Sequence, residues 1–283
     1  MKLITYRPSA NIAQTRLAAL DGDRAVDLGM DLLDALCHGV DVKAAASAAL
    51  ASGAPRLKFA DLQLAPPVPR PGKIICLGLN YYDHAKEGGR EKPDYPWFFF
   101  RGATSLIAHG EAGIRPRVSE RFDYEAELAV VIGKKARHLT QSDALDCVFG
   151  YSCFNDMSVR DYQKKTPQWT IGKNFDGTGG FGPVLVTADE LPPGAIGLKI
   201  QSRLNGQVMQ SANTTDMIWG VAETIVLLTE CLTLEPGDVI IMGTPAGVGQ
   251  ARTPPVWMKH GDTIEIDIER VGLLSNPIMD EAA

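Results

Sequence analysis

The sequence predicts an α+β chain built on mixed or antiparallel sheet, and three observations predict it. Beyond residue 73, short segments rich in β-branched and aromatic residues follow one another at close intervals. A single long stretch, 215–232, keeps apolar residues at helical spacing. The 28 glycines and 18 prolines amount to about 16% of the chain against roughly 12% on average, so turns are frequent.

The elements follow in order. Lys2–Tyr6, Thr15–Ala19 and Ala25–Asp27 read as short strands, with Asp21-Gly22-Asp23 as a turn. Asp31–Cys37 and Val42–Ala51 read as short helices. Leu64–Gly72 then carries four prolines in nine residues. Fixed φ angles and missing N–H donors make it extended, as a linker would be. Residues 1–66 are therefore expected to form a small N-terminal α/β domain, and 70–281 the larger one. In the latter, Lys73–Leu77, Trp97–Arg101, Glu127–Gly133, Val148–Asn155, Val184–Thr187 and Leu198–Leu204 read as strands. Asn205-Gly206 marks a hairpin leading into Gln207–Gln210. The helix over 215–232 opens on a Thr/Asp cluster, and strands Val239–Met242 and Thr263–Glu269 follow. The latter alternates Ile-Glu-Ile-Asp-Ile, so one face is buried and the other wet.

Composition narrows the function. Hydrophobic residues at 45% and charged residues at 22% support a large core and exclude general disorder. A net charge of −6 gives no global attraction to nucleic acid or anionic membrane. Apolar runs such as Leu128–Ile132 and Ile225–Leu228 fall far short of the ~20 residues of a membrane span. The N-terminus turns polar too early for a signal peptide. Five cysteines without a C-x-x-C pair point to free thiols and a reducing, cytoplasmic setting.

Several motifs fail on context. Gly177–Gly182 matches G-x-G-x-x-G, but no strand precedes it and Pro183 with a strand follows, the reverse of a dinucleotide site. Gly243–Gly249 lacks the Lys-Ser/Thr of a P-loop. No G-x-S-x-G or H-E-x-x-H occurs.

Asp123-Tyr-Glu125-Ala-Glu127 is the informative segment. Residues two apart on a strand share a face, so Glu125 and Glu127 present two carboxylates about 7 Å apart by the ~3.3 Å rise. Asp123 shares that parity. Both glutamates stand at the mouth of a very apolar strand, where like charges repel unless a cation neutralises them. A second apolar strand ends in Asp156, whose carboxylate would complete an oxygen-only triad. Such a set suits Mg²⁺ or Mn²⁺, whereas zinc would recruit His or Cys.

Five motifs occur in order: Gly78-Leu-Asn80-Tyr81-Tyr-Asp-His84-Ala-Lys-Glu87; Asp123-Tyr-Glu125-Ala-Glu127; Asn155-Asp156 leading to Arg160-Asp161-Tyr162-Gln163; Gln168-Trp169 leading to Lys173 and Asp176; and Gly243-Thr244-Pro-Ala-Gly247. Together they resemble the fumarylacetoacetate hydrolase family over about 73–278. The resemblance implies a mixed β-roll-like fold, usually a homodimer, with Mg²⁺ or Mn²⁺ on Glu125, Glu127 and Asp156. It implies a 2-oxo or 2,4-dioxo acid as substrate, with the metal stabilising an enolate. Glu87 would orient His84, three residues earlier on a short helix, to take a proton from water. Lys173 is placed near the substrate. Gln163 and Thr244 match substrate-contacting positions, with Arg160 and Tyr162 as further candidates. Asp161 and Asp176 are expected to be structural. Where relatives carry Thr-Phe-x-Pro-x-Gly-Pro, this chain has Gly177-Thr-Gly-Gly-Phe-Gly-Pro183, expected to be a glycine-rich loop that widens the site.

The function expected is hydrolysis of an acylpyruvate such as fumarylpyruvate or maleylpyruvate, in aromatic-compound catabolism. Water activated by His84 and Glu87 would attack the distal carbonyl, releasing pyruvate and a carboxylic acid. The rivals on the same site are oxaloacetate decarboxylation and isomerisation of a hydroxymuconate-type diacid.

Overall fold

The structure, a computed structural model, describes residues 1–8 and 14–282. The N-terminal segment comprises strands β1 (Lys2–Arg7), β2 (Arg16–Asp21) and β3 (Arg24–Asp27), helices α1 (Leu32–Cys37) and α2 (Val42–Ala51), and strands β4 (Arg56–Lys58) and β5 (Gln63–Ala65). Both helices are N-capped by an aspartate side chain, Asp31 and Asp41, accepting from backbone N–H groups of the first turn. The proline-rich stretch that follows is packed: Ala65–Val68 are buried, and the Thr5 hydroxyl donates to the Pro67 carbonyl at 2.8 Å.

The chain continues through β6 (Ile74–Gly78), α3 (Tyr82–Glu87), β7 (Trp97–Arg101), β8 (Leu106–Ile107), β9 (Gly113–Arg115), β10 (Phe122–Asp123), β11 (Ala126–Ile132), β12 (Val148–Asp156) and β13 (Ser158–Val159). After these come α4 (Arg160–Gln163), α5 (Thr170–Lys173), β14 (Gly179–Thr187), β15 (Lys199–Leu204), β16 (Gln207–Asn213), α6 (Val221–Cys231), β17 (Val239–Ile241), β18 (Thr263–Ile268) and β19 (Gly272–Asp280).

One twelve-stranded sheet organises the molecule, in the order β4-β3-β2-β1-β14-β12-β11-β17-β6-β7, with β5 on β1 and β8 on β14. The N-terminal strands are thus hydrogen-bonded into the same sheet as the rest, through Lys2↔Val186 and Leu3↔Leu185. The sheet curls on itself. β7 lies at the end of the order, yet β8, a few residues later, is back on β14, and Arg101 at the end of β7 reaches Asp156 on β12. A five-stranded sheet, β16-β15-β18-β19-β9, packs on one face.

Alternation splits the core between the two faces. Leu128, Val130 and Ile132 of β11 face Ile264, Ile266 and Ile268 of β18 in one cluster. Ala129 and Val131 join Leu32, Leu36 and Val42 of the N-terminal helices in the other. Each buried Leu or Ile contributes roughly 1.5–3 kcal/mol. Glu127 shares the parity of Ala129 and Val131, and Asp156 that of Phe154. Both carboxylates therefore stand at the rim of the second cluster.

Asn205-Gly206 forms the expected hairpin, both residues at positive φ. Two expectations are corrected. The long helix begins at Val221, not Thr215: Asn213 caps a single 3₁₀ turn over Thr214–Asp216, and the backbone of Ile218 and Trp219 is spent on Asn80 instead. The glycines after Gly177 do not form a loop. Gly179–Gly182 are buried residues of β14, and Gly180 has no room for a side chain: a Cβ there would sit 2.7 Å from Asn276 Oδ1. The five cysteines are free. Among the described residues, no helix is long and apolar enough to cross a membrane.

Candidate active site

Strand register assembles the carboxylates. β11 and β12 are antiparallel with Ala126 opposite Asn155, so Glu127 and Asp156 emerge at the same end. Glu125 lies one residue before β11, and its carbonyl accepts the Asp156 N–H at 3.0 Å. Ligand oxygens of Glu125, Glu127 and Asp156 lie within 4.8 Å of one another, and all three residues are buried. Asp123, despite its parity, stays outside this group. It accepts from Arg160 Nε at 2.8 Å and from the N–H groups of Gly249 and Gln250.

Cations balance part of this charge. Lys173 Nζ lies 2.5 Å from Glu125 Oε2 and 2.6 Å from Asp156 Oδ2, and Arg160 Nη2 lies 2.7 Å from Glu125 Oε1. Burial works against the charged form of Glu125, but Arg160 and Lys173 outweigh it and hold its pKa down to about 2. Burial also opposes the charge on Lys173, and Asp156 and Glu125 reverse the effect, raising its pKa. Glu127 goes the other way. Burial, Asp156 and Glu125 push its pKa well up, against the weaker pull of Lys173 and of the Gly243 N–H that donates to it at 2.6 Å. Among the described residues no basic side chain forms a salt bridge with it. A buried all-oxygen set with one carboxylate lacking a cation fits a hard divalent ion such as Mg²⁺ or Mn²⁺.

The second group is carried by α3. Asn80, fully buried, fixes the turn before this helix: its amide donates to the carbonyls of Trp219 and Met242 and accepts the Trp219 N–H. His84 Nδ1 is 2.7 Å from Glu87 Oε1, and Glu87 Oε2 accepts the Gly247 N–H at 2.8 Å. The glutamate thus ties the imidazole to the loop after β17, and Nε2 is left as the free ring nitrogen.

A cavity of about 430 Å³ joins the two groups. His84, Glu87, Glu125, Glu127, Arg160, Gln163, Lys173 and Thr244 all line it. Gln163 Oε1 accepts from Arg160 Nη1 at 3.0 Å, so its NH₂ is the half of the amide left for a ligand. The Thr244 hydroxyl donates to the Ala126 carbonyl at 3.0 Å and accepts from Gln210 Nε2 at 2.8 Å. Tyr162 is a correction. It is not among the lining residues; its ring stacks edge-on against Phe175, 5.1 Å between centroids. On a helix, positions 160 and 163 share a side and 162 does not. Asp161 is structural as expected, accepting from the Ser119 hydroxyl. Asp176 is not among the lining residues either.

Residue-type reasoning missed four contributors. Phe99 and Trp169 form an aromatic wall of the cavity, 5.7 Å between centroids. Gln210 buttresses Thr244 from β16. Arg101 stands behind Asp156, 2.5 Å from Oδ1. The one signal for Arg101 was a lone charge closing the run Trp97-Phe-Phe-Phe.

Comparison with known proteins bears on all of this. Residues 73–279 match the family described as Fumarylacetoacetate (FAA) hydrolase C-terminal. Oxaloacetate tautomerase YisK of Bacillus subtilis is 43% identical over 224 residues, 78% of this chain and 74% of that protein. Fumarylacetoacetate hydrolase from Exiguobacterium antarcticum superposes with a TM-score of 0.85 at 33% identity, over 99% of this chain and all of the other. Maleylpyruvate hydrolase from Sphingobium sp. SYK-6, in complex with manganese(II) and pyruvate, superposes with a TM-score of 0.83 at 28% identity over the full length of both chains.

Proposed function

The chain belongs to the fumarylacetoacetate hydrolase family, and from that premise we propose that it moves a proton at the carbon beside the 2-oxo group of a 2-oxo diacid, as an oxaloacetate-type keto–enol tautomerase. One observation carries the reading: His84, oriented by Glu87, lines the same cavity as Lys173 and as Glu125 and Glu127, whose carboxylates form a buried triad with Asp156. The 43% identity to a named oxaloacetate tautomerase supports putting tautomerisation ahead of the C–C hydrolysis that the motifs first suggested.

Glu125, Glu127 and Asp156 would hold Mg²⁺ or Mn²⁺, which when bound supplies a Lewis acid for the 2-oxo oxygen. The chain's own residues do the rest. Arg160 and the Gln163 NH₂ orient the acid's carboxylate. Lys173 offsets negative charge as it develops on the substrate. His84 Nε2 takes the proton from the carbon and returns it to oxygen, while Glu87 at Nδ1 stabilises the ring in its charged form. Thr244, held by Gln210 and Ala126, fixes the far side of the binding position.

Acylpyruvate hydrolysis is the second reading. The cavity is roomier than a four-carbon acid needs, and its Phe99–Trp169 wall suits an acyl chain. Decay of enol-oxaloacetate absorbance, and cleavage of acetylpyruvate and fumarylpyruvate, should be measured with Mn²⁺ and in chelator. Tautomerisation should be the fastest metal-dependent activity. Faster release of pyruvate from either acylpyruvate would transfer the assignment to hydrolysis, and undiminished activity in exhaustive chelator would sink both. We carry the homodimer as part of this proposal; sedimentation should return twice the 30.5 kDa of the chain.

A further inference from the structure

We propose that Arg101 is a positioning residue for the carboxylate triad, seated under Asp156 in a slot that Gly179 keeps open. The inference rests on the reading of the triad as a divalent-metal site. Arg101 does not line the cavity, and its side chain is fully buried. All three guanidinium nitrogens have acceptors: Nη1 the Asp156 Oδ1 at 2.5 Å, Nη2 the Thr178 hydroxyl at 2.9 Å, and Nε the Ser105 hydroxyl at 3.3 Å. Both hydroxyls have already committed their protons. Ser105 donates to the Gly102 carbonyl and Thr178 to the Phe175 carbonyl. They therefore offer only lone pairs to Arg101, which fixes the plane of the fork. Lys173 takes the other oxygen of Asp156 from the cavity side. The carboxylate is thus held at Oδ1 by a group outside the cavity and at Oδ2 by one that lines it.

Gly179 makes this possible. It is the cross-strand partner of Asp156 in the β12–β14 pairing. A Cβ there would lie 3.1 Å from Arg101 Nη2, 3.2 Å from Phe154 Cζ and 3.2 Å from the Ser105 carbonyl. A side chain at 179 therefore crowds the guanidinium on one side while the Phe154 ring and the Ser105 carbonyl crowd it on the others, and Arg101 must give by a few tenths of an ångström. The glycine-rich departure at Gly177–Pro183 thereby gains a role: it accommodates the arginine.

The sign of the effect separates positioning from charge. Arg101 adds a positive charge beside the triad. If charge were its only contribution, removing it would tighten binding of a divalent cation. If it orients Asp156, removing it weakens binding, as loss of outer partners does, typically by about 10–100-fold.

The test is Mn²⁺ titration of the full chain, with free Mn²⁺ read by electron paramagnetic resonance and metal-free folding checked by circular dichroism. Arg101→Met should weaken Mn²⁺ binding about 10–100-fold. Arg101→Lys keeps the charge but not the three-way fork, and should recover only part of the loss. Gly179→Ala, with Arg101 intact, should weaken binding in the same direction. Unchanged or tighter Mn²⁺ binding in the folded Arg101 variants overturns the proposal, and unchanged binding in Gly179→Ala overturns the slot. Should Arg101→Met fail to fold, Arg101→Lys and Gly179→Ala decide by the same criterion. A wild-type chain that binds no Mn²⁺ would instead overturn the metal-site reading on which this rests.

Discussion

At the scale of single residues, Glu87 shows how much one carboxylate can govern. One oxygen orients His84 and the other holds the Gly247 N–H. Glu87→Gln keeps the size but removes the charge behind the imidazole. Turnover should fall about 10²–10⁴-fold, the range for loss of general acid–base help, with Mn²⁺ affinity retained; equal losses in both would make Glu87 part of the metal site. Gly78→Ala tests the aromatic wall. Its Cβ would lie 2.0 Å from the Trp169 ring, so the indole must leave its place in the wall, and KM should rise more than kcat falls. The triad was legible because strand parity puts Glu125 and Glu127 on one face and a second strand ends in Asp156. Parity assigns a face but not a partner, which is why Asp123 could be placed on that side and not on Arg160. Arg160 and Tyr162 could not be separated in sequence because a four-residue helix carries too little periodicity to orient.

Among elements, strands were read more reliably than their ends. The hairpin at Asn205-Gly206 declares itself through residues that tolerate positive φ. Strand β19 did not, because Asn276 and Pro277 interrupt its apolar pattern. Asn276 is buried and its amide donates to the carbonyls of Ala108 and Glu111, while pairing with β9 begins only at Ile278, so Pro277 is not needed as a donor there. The α6 boundary was missed because a cap before a 3₁₀ turn looks the same in sequence as a cap before a helix. Asn213→Ala should cost about 1 kcal/mol, the usual value of such a cap, measured by urea unfolding. β19 also depends on His109, whose Nδ1 accepts the Ser275 N–H at 3.0 Å. Burial lowers the pKa of this imidazole. The neutral ring therefore contributes stability that is present above the ordinary value of about 6.5 and is lost as pH falls through the lower folded value. Protection of the Ser275 amide from hydrogen exchange, corrected for intrinsic rate, should decline over that acid range. His109→Gln should abolish the pH dependence.

For the whole molecule, the curled sheet makes distant segments depend on one another. A bound ion should raise stability by about 2.7 kcal/mol at a hundred times its dissociation constant. Glu127→Ala should remove that metal-dependent shift in Tm while leaving metal-free melting near wild type; an undiminished shift would place the ion elsewhere. Residues 1–66 read in sequence as a unit of their own, yet Leu3, Leu17 and Leu32 share a core with Val131, Phe154 and Leu185. A chain beginning at residue 70 should expose one edge of β14 and half of that core, and should aggregate when expressed alone. The pairing of β1 with β14 also has a consequence in time. During synthesis Lys2 and Leu3 are made about 180 residues before Leu185 and Val186. At about 5–20 residues per second this is a wait of roughly 10–40 s. β2 can cover one side of β1 almost at once, and β5 covers Thr5–Arg7 on the other after some sixty residues. What stays open on that edge until the ribosome reaches β14 is the two-residue stretch Lys2–Leu3, short enough to offer a neighbouring nascent chain little to pair with.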